Sequence, residues 1–164
     1  MFKYFPKQLP TLETERLIIR EITDDDIQHI IPIIRVEGLT ATNLEEAKVL
    51  MDKINAKYKA QNLLNWGMVF KETNEMVGSC GYYRGFENNI GEIGYIIMPQ
   101  FRRMGFAVEA SQALIDYGFK TLKLSNISAY TTDDNEGSIA VLKKLGLTQV
   151  DSEKPDLIKY LLHV

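Results

Sequence analysis

Three strand-like segments, Trp66–Lys71, Met76–Tyr83 and Ile90–Met98, follow one another with only the short turns Glu72–Glu75 and Glu87–Asn89 between them. Strands joined so tightly pair antiparallel, because a parallel pair needs a crossover of about a dozen residues or more. The middle of the chain is therefore constrained to a meander. Pro99 closes its last strand, and the chain passes at once into a long helical segment, predicted over about Arg103 to Lys120, with Phe106, Ala110, Ala113, Leu114 and Tyr117 on one face. A sheet that feeds a helix in this way must cover its faces with helices, which directs the reading of the flanks.

On the N-terminal side, Leu17–Glu21 reads as a short strand, and Asp24, Asp25 and Asp26 suit a helix start. A helical stretch through Ile27, Ile30, Ile31 and Ile34 follows, which Pro32 kinks or divides into two short pieces. Asn43-Leu44-Glu45-Glu46 reads as a capping box, and Ala47, Leu50, Met51, Ile54 and Tyr58 extend an amphipathic helix to about Gln61. On the C-terminal side, Ile127–Thr131 is a strand and Asn135–Leu145 a helix stopped by Gly146. Strands near Leu147–Val150 and Leu157–Leu162 end the chain. The fold class is α/β: a mixed sheet with helices on its faces.

Length and composition narrow the function. At 164 residues, the chain is about one domain's worth, and a single domain over 1–164 is the expectation. Hydrophobic residues at 45% and charged residues at 25% argue against disorder, collagen and coiled coil. The lone cysteine, Cys80, excludes an internal disulfide framework and a multi-cysteine zinc site, and His29 and His163 stand too far apart to suggest a metal centre. A net charge of -3 argues against a nucleic-acid partner, which needs a basic patch. Met1–Lys7 lacks the start of a secretory signal, and no stretch approaches the ~20 apolar residues of a membrane span. No membrane partner and a cytoplasmic address are the corresponding expectations.

The junction Met98-Pro99-Gln100-Phe101-Arg102-Arg103-Met104-Gly105-Phe106-Ala107 carries the most chemistry. A strand end followed by a helix start presents free backbone N–H groups and a positive dipole end, a ready anion site. Gly105 lets backbone approach an anion closely, and Arg102 and Arg103 add charge. The same residues also read as an ordinary helix start with two solvated arginines. Neither GxxxxGK[ST] nor GxGxxG is present, so kinase-like and nicotinamide-binding readings lose their main support.

Arg102-Arg103-Met104-Gly105-Phe106-Ala107 resembles the Q/R-x-x-G-x-G/A motif of the GNAT acyltransferases. Gly91-Glu92-Ile93-Gly94-Tyr95 upstream, Glu109-Ala110 downstream, and Asn135-x-x-Ser138-x-x-Val141-Leu142-x-Lys144-Leu145-Gly146 are similar to the ribosomal-protein-alanine N-acetyltransferase branch, as is Thr14-Glu15-Arg16-Leu17-x-x-Arg20. The resemblance runs from about residue 12 to 162 in the right order. Departures are Arg102 and Arg103, where many relatives carry an aromatic residue and a glycine, Met104 in place of a basic residue, and Leu147 in place of phenylalanine.

The resemblance implies a GNAT fold: a mostly antiparallel sheet with a central splayed parallel pair, here the strand ending at Met98 and Ile127–Thr131, with helices on both faces. It implies acetyl-CoA as co-substrate, held by the loop Arg102, Arg103, Met104, Gly105, Phe106 and Ala107. Ile97 and Met98 would offer main-chain contacts to the pantetheine arm, and a backbone N–H near Ile97 would polarise the thioester carbonyl. No metal is implied. The expected acceptor is a primary amine, of a small molecule or a protein N-terminus, attacking directly in a ternary complex. Many members dimerise, and nothing in the sequence forces or forbids a homodimer.

Glu92 is the candidate base, since strand alternation places it on one face with Gly94, Ile96 and Met98. A water chain as base, or a solvated glutamate that only binds substrate, stands beside that reading. Glu21 is a weaker candidate that also suits the acidic turn beside it. Ser138 is the branch's candidate for returning a proton to the thiolate, with a simple hydrogen bond to sulfur or a helix-start role as alternatives. Asn135 is expected as a helix N-cap, to which the resemblance adds contact with the cofactor arm. Cys80 reads as small core and His29 as a partly exposed helix residue; Trp66, Tyr82, Tyr83, Phe86 and Tyr95 read as core or cleft wall. The Asp24–Asp26 run offers attraction for a cationic amine, and a catalytically silent acyl-CoA-binding module on the same fold is the competing function.

Overall fold

The expected meander forms the centre of an eight-stranded sheet in the computed structural model, which covers residues 1–164. In chain order the elements are β1 (Leu12–Glu13), β2 (Leu17–Arg20), α1 (Asp24–Ile27), β3 (Arg35–Val36), β4 (Leu39–Thr40), α2 (Leu44–Lys59), β5 (Leu64–Phe70), β6 (Glu75–Arg84), β7 (Ile90–Ile97), α3 (Phe106–Lys120), β8 (Asn126–Thr131), α4 (Glu136–Lys144), β9 (Thr148–Val150) and β10 (Ile158–His163). The sheet order is β1-β2-β5-β6-β7-β8-β10-β9, and β3 with β4 makes a separate hairpin.

All neighbours pair antiparallel except β7 and β8. That parallel pair, joined through the crossover helix α3, matches only Ile90 with Asn126, Gly91 with Ile127 and Glu92 with Ser128. Beyond Glu92 the strands part, while β7 stays paired to β6 as far as Ile97 and β8 to β10 as far as Thr131. The sheet is thus forked at its middle, with Glu92 and Ser128 at the crotch. This is the splayed mixed sheet that the resemblance implies.

Each face has its own core. Phe106, Ala110 and Leu114 of α3 and Leu142 of α4 pack with Trp66, Tyr82 and Ile127 on one side, joined by Tyr95 and Ile97. Ile27 of α1 and Ala47, Leu50, Met51 and Ile54 of α2 pack with Met98 on the other, joined by Ile96. Strand alternation therefore turns odd-numbered residues of β7 toward α3 and α4 and even-numbered ones toward α1 and α2.

The caps follow local chemistry. Asn43 Oδ1 accepts the Glu46 N–H at 2.9 Å, and Asn135 Oδ1 accepts the Ser138 N–H at 3.1 Å. Glu46 reaches one residue further back than a capping box requires, accepting from the Thr42 N–H at 2.9 Å and Thr42 Oγ1 at 2.7 Å. Pro32 does divide its stretch: α1 stops at Ile27, and Ile31–Ile33 forms only a 3₁₀ turn. His29 is exposed in the turn between these pieces rather than on a helix. Helix α3 begins at Phe106, not Arg103, because Arg103 (φ 63°) and Gly105 (φ 83°) are left-handed and hold residues 102–105 in a turn.

Candidate active site

The turn that delays α3 also leaves its first turn uncapped. Gly105 as N-cap has no side chain to cap the helix, so the first-turn N–H groups of Phe106, Ala107 and Val108 are left to a ligand. The left-handed φ of 83° is one that glycine adopts without strain. The turn is braced from behind by Arg16, whose Nη1 donates to the Met104 carbonyl at 2.8 Å while its guanidinium covers the Phe106 ring at 4.6 Å. Glu109, one turn into α3, holds that brace.

A groove of about 650 Å³ runs from this loop along the α3–α4 side of the fork. Of the residues expected to hold a cofactor, Ile97, Arg102, Arg103, Gly105, Phe106, Ala107, Asn135 and Ser138 all line it. Met98 and Met104 do not. Met104 is exposed, and Met98 is buried in the opposite core. Both main-chain groups of Met98 are engaged, its N–H by the Val77 carbonyl at 2.8 Å and its carbonyl by the Phe101 N–H at 2.9 Å. N–H groups alternate sides along a strand, so that of Ile97 points away from β6 and into the fork.

On the other face of β7 lies a cavity of about 400 Å³, walled by the isoleucines of the Ile30–Ile34 segment, α2, the β3–β4 hairpin and β7. It shares Arg35, Tyr95 and Ile96 with the groove, so the two spaces meet at the fork. Glu92 lines this cavity with Gly94 and Ile96, as alternation predicts. Its side chain is 14% exposed, and one oxygen, Oε2, takes two cations: Arg84 Nε at 3.2 Å and Lys154 Nζ at 3.4 Å. Oε1 has no partner. Lys154 also sits over the Tyr130 ring at 3.6 Å, which ties the loop before β10 to the cavity wall.

Ser138 and Tyr95 form the third part of the site. Burial pushes the Tyr95 phenol up, and the neighbouring Ser138 hydroxyl pulls it back. No hydrogen bond forms between them, and the Tyr95 hydroxyl is buried without a partner. A buried donor left unpaired at a cleft is costly unless a ligand completes it.

The remaining residues are structural. Trp66, Tyr82 and Phe86 are core, and Cys80 is fully buried with its thiol pushed up by that burial. Tyr83 and Tyr95 are cleft wall. The Asp24–Asp26 run lines neither cavity: Asp26 is bound by Arg20 at 2.7 and 3.0 Å and accepts the Thr23 N–H at 2.7 Å. Glu21 is exposed and also outside the cavity. Arg35, the Tyr95 hydroxyl and the cation pair on Glu92 are additions that sequence reasoning missed. Only proximity in space reveals them, although Tyr95 already stands inside the Gly91–Tyr95 segment that signalled the strand.

A forked mixed sheet, with an uncapped helix start on one side of the fork and a cavity on the other, is the frame of an acyltransferase. The chain belongs to the GNAT acetyltransferase family, whose domain model matches residues 16–148, and it is an acetyltransferase. It is 36% identical over 145 residues to YoaA, an uncharacterised N-acetyltransferase of Bacillus subtilis (strain 168), a match spanning 84% of this chain and 82% of that one. Its fold is also that of the ribosomal-protein-S5-alanine acetyltransferase of Vibrio fischeri, with a TM-score of 0.73 at 20% identity, covering 94% of this chain and 96% of that one. RimL, the ribosomal L7/L12 α-N-protein acetyltransferase solved with coenzyme A, aligns with a TM-score of 0.82 at 15% identity, covering 94% and 98%.

Proposed function

We propose that the protein transfers an acetyl group from acetyl-CoA to the nitrogen of a primary amine by direct attack, with both substrates bound at once. The observation that supports this most is the fork itself. Groove and cavity lie on opposite faces of β7 and meet at Tyr95 and Ile96, so two substrates can approach each other without a shuttle on the protein.

The residues present suit the cofactor. The Phe106–Val108 N–H groups and the left-handed Gly105 form a cradle for pyrophosphate, with Arg102 and Arg103 supplying charge. Asn135 and Ser138 border the path of the pantetheine arm. When bound, acetyl-CoA supplies a thioester whose carbonyl carbon is the electrophile. The Ile97 N–H, aimed into the fork, stabilises negative charge developing on the carbonyl oxygen.

The amine lone pair forms the new C–N bond as the C–S bond breaks, and the sulfur leaves with its electron pair. The amine proton passes to Glu92, directly or through water, at the oxygen free of cations. Ser138 donates a hydrogen bond or proton to the leaving sulfur, and the Tyr95 phenol, kept protonated by burial, stands behind it. A cytoplasmic enzyme acting on a small amine or a protein N-terminus fits this reading.

The test is a thiol-release screen with acetyl-CoA against amines and N-terminal peptides, paired with a thermal shift. A melting temperature raised by acetyl-CoA and thiol release dependent on amine are expected. Acetyl-CoA binding without release for any amine would instead identify a silent acyl-CoA-binding module.

A further inference from the structure

We propose that the acceptor is a small amine that carries both a carboxylate and an apolar body, as a hydrophobic α-amino acid does, with Arg35 holding the carboxylate. The inference rests on the acetyl-transfer reading above and narrows its acceptor.

The cavity wall sets two requirements. Most of it is apolar, with Ile30, Ile33, Ile34, Met51, Ile54 and Leu63 facing the space. A volume of about 400 Å³ lies within the usual small-molecule range of ~300–1,000 Å³. Charge enters at few points, and the carboxylates are already matched. Glu37 pairs with Lys57 at 2.8 Å, and Glu92 carries Arg84 and Lys154. Arg35 has neither an ion pair nor a side-chain hydrogen bond, and its charge is felt at the half-buried Tyr83 phenol, which desolvation pushes up and Arg35 pulls back.

The position of Arg35 decides the chemistry. It borders both the cavity and the groove, so an anion held by it lies close to the fork where the amine must react. An α-amino acid separates its nitrogen from its carboxyl carbon by a single carbon, which demands this closeness. Arg35 is on the β3–β4 hairpin, which its tight turn at Glu37 (φ 54°) and Gly38 (φ 79°) folds over the cavity, and the Glu37–Lys57 pair fastens it to α2. A polyamine would bring a second ammonium beside Arg35 and Lys57, and the one open carboxylate oxygen, Glu92 Oε1, already serves the reacting amine. A peptide N-terminus would replace the carboxylate by an amide and leave the guanidinium unpaired.

The experiment compares L-leucine, L-methionine and L-phenylalanine with their carboxamides and with spermidine, on the wild type, Arg35→Gln and Arg35→Lys. Initial rates are read alongside calorimetric titration of L-leucine into the protein–CoA complex. The wild type should favour the free acids over the carboxamides by roughly tenfold or more in kcat/KM, the scale of one charge-assisted pair. Arg35→Gln should abolish that preference mainly through KM and weaken leucine binding, and Arg35→Lys should restore part of both. Carboxamides or spermidine used as well as the acids, or a preference that survives Arg35→Gln, would overturn the assignment. Thiol release from spermidine or the carboxamides at rates matching the acids would leave acetyl transfer itself intact. If no amine releases thiol, acetyl transfer itself fails, and leucine binding lost in Arg35→Gln still reports the carboxylate site; absence of leucine binding to the wild-type complex refutes it.

Discussion

Glu109 on α3 grips Arg16 with both carboxylate oxygens: Oε1 accepts the Arg16 backbone N–H at 2.7 Å and Oε2 accepts its Nε at 2.7 Å. Thr14 Oγ1 adds a third bond, to Oε1, at 2.6 Å. The entry to β2 is thereby bolted to the helix whose start is the proposed anion cradle, across 93 residues of sequence.

Breaking this joint should loosen the cradle. Glu109→Gln is expected to lower stability by about 1–3 kcal/mol, the scale of charge-assisted hydrogen bonds, and to weaken acetyl-CoA binding. Burial raises the Glu109 carboxyl's pKa, but Thr14 and Arg16 outweigh it and hold the group below its ordinary value. A depressed folded pKa gives stability that is full above the unfolded pKa of about 4.3 and lost as pH falls through the folded one. Thermal melts of wild type and variant should therefore converge in acid; a constant gap from neutral pH to pH ~3 would contradict this.

Asp26 offers a second acid-sensitive joint, remote from the site. Arg20 beside it holds its carboxyl at about 2, with the Thr23 N–H and hydroxyl assisting against burial. Its stabilisation is complete above the unfolded value of about 3.9 and disappears as pH falls toward 2. Asp26→Asn should cost about 1 kcal/mol at neutral pH, after allowance for solvent screening at the Arg20 side, without changing acetyl-CoA affinity. Chemical denaturation at pH 7 and acetyl-CoA titration check both halves.

Gly105 can be tested by adding a side chain. A Cβ there would come 3.1 Å from Arg16 Nη2 on a backbone with φ +83°, a conformation that costs an L-residue about 1–2 kcal/mol. Gly105→Val should raise the acetyl-CoA dissociation constant by about tenfold or more, and Gly105→Ala by less. Calorimetry showing wild-type affinity in a folded Gly105→Val protein would remove the cradle from the account.

Glu92→Gln keeps the shape of the side chain and removes its capacity to take a proton. Turnover should fall by about 10²–10⁴, the usual contribution of a general base, and the pH–rate profile should change shape. Unchanged turnover and an unchanged profile would return the base role to water.

Tyr95→Phe removes only a hydroxyl that is buried and unpartnered, so its effect on folding should be slight. If it acts with Ser138 at the leaving sulfur, Tyr95→Phe and Ser138→Ala should each lower kcat, and the double variant should lose less than the product of the two. Independent effects would separate the two residues.

Much of the frame was legible because its signals are local. Asn43 and Asn135 announce α2 and α4 by the side-chain oxygen each needs as a cap, and the apolar stripes of α2 and α3 give their inward faces. Pro32 announces the break it causes. The β3–β4 hairpin was not legible, since strands of two residues are too short to show a period and its turn uses Glu37-Gly38 rather than Asn-Gly. The motif segments around Arg16 and Glu109 stood out separately, but nothing local says that they touch. The same holds at Glu92, whose carboxylate meets Lys154, 62 residues away. Tyr95 read as a wall aromatic, and only its burial beside Ser138 exposes an unsatisfied hydroxyl.

The most direct measurement is a two-substrate initial-rate study with acetyl-CoA and L-leucine, accompanied by intact-protein mass spectrometry of the enzyme with acetyl-CoA alone. Direct attack across the fork predicts intersecting double-reciprocal lines and an unmodified protein. Parallel lines together with an acetylated protein that passes its acetyl group to the amine would contradict it.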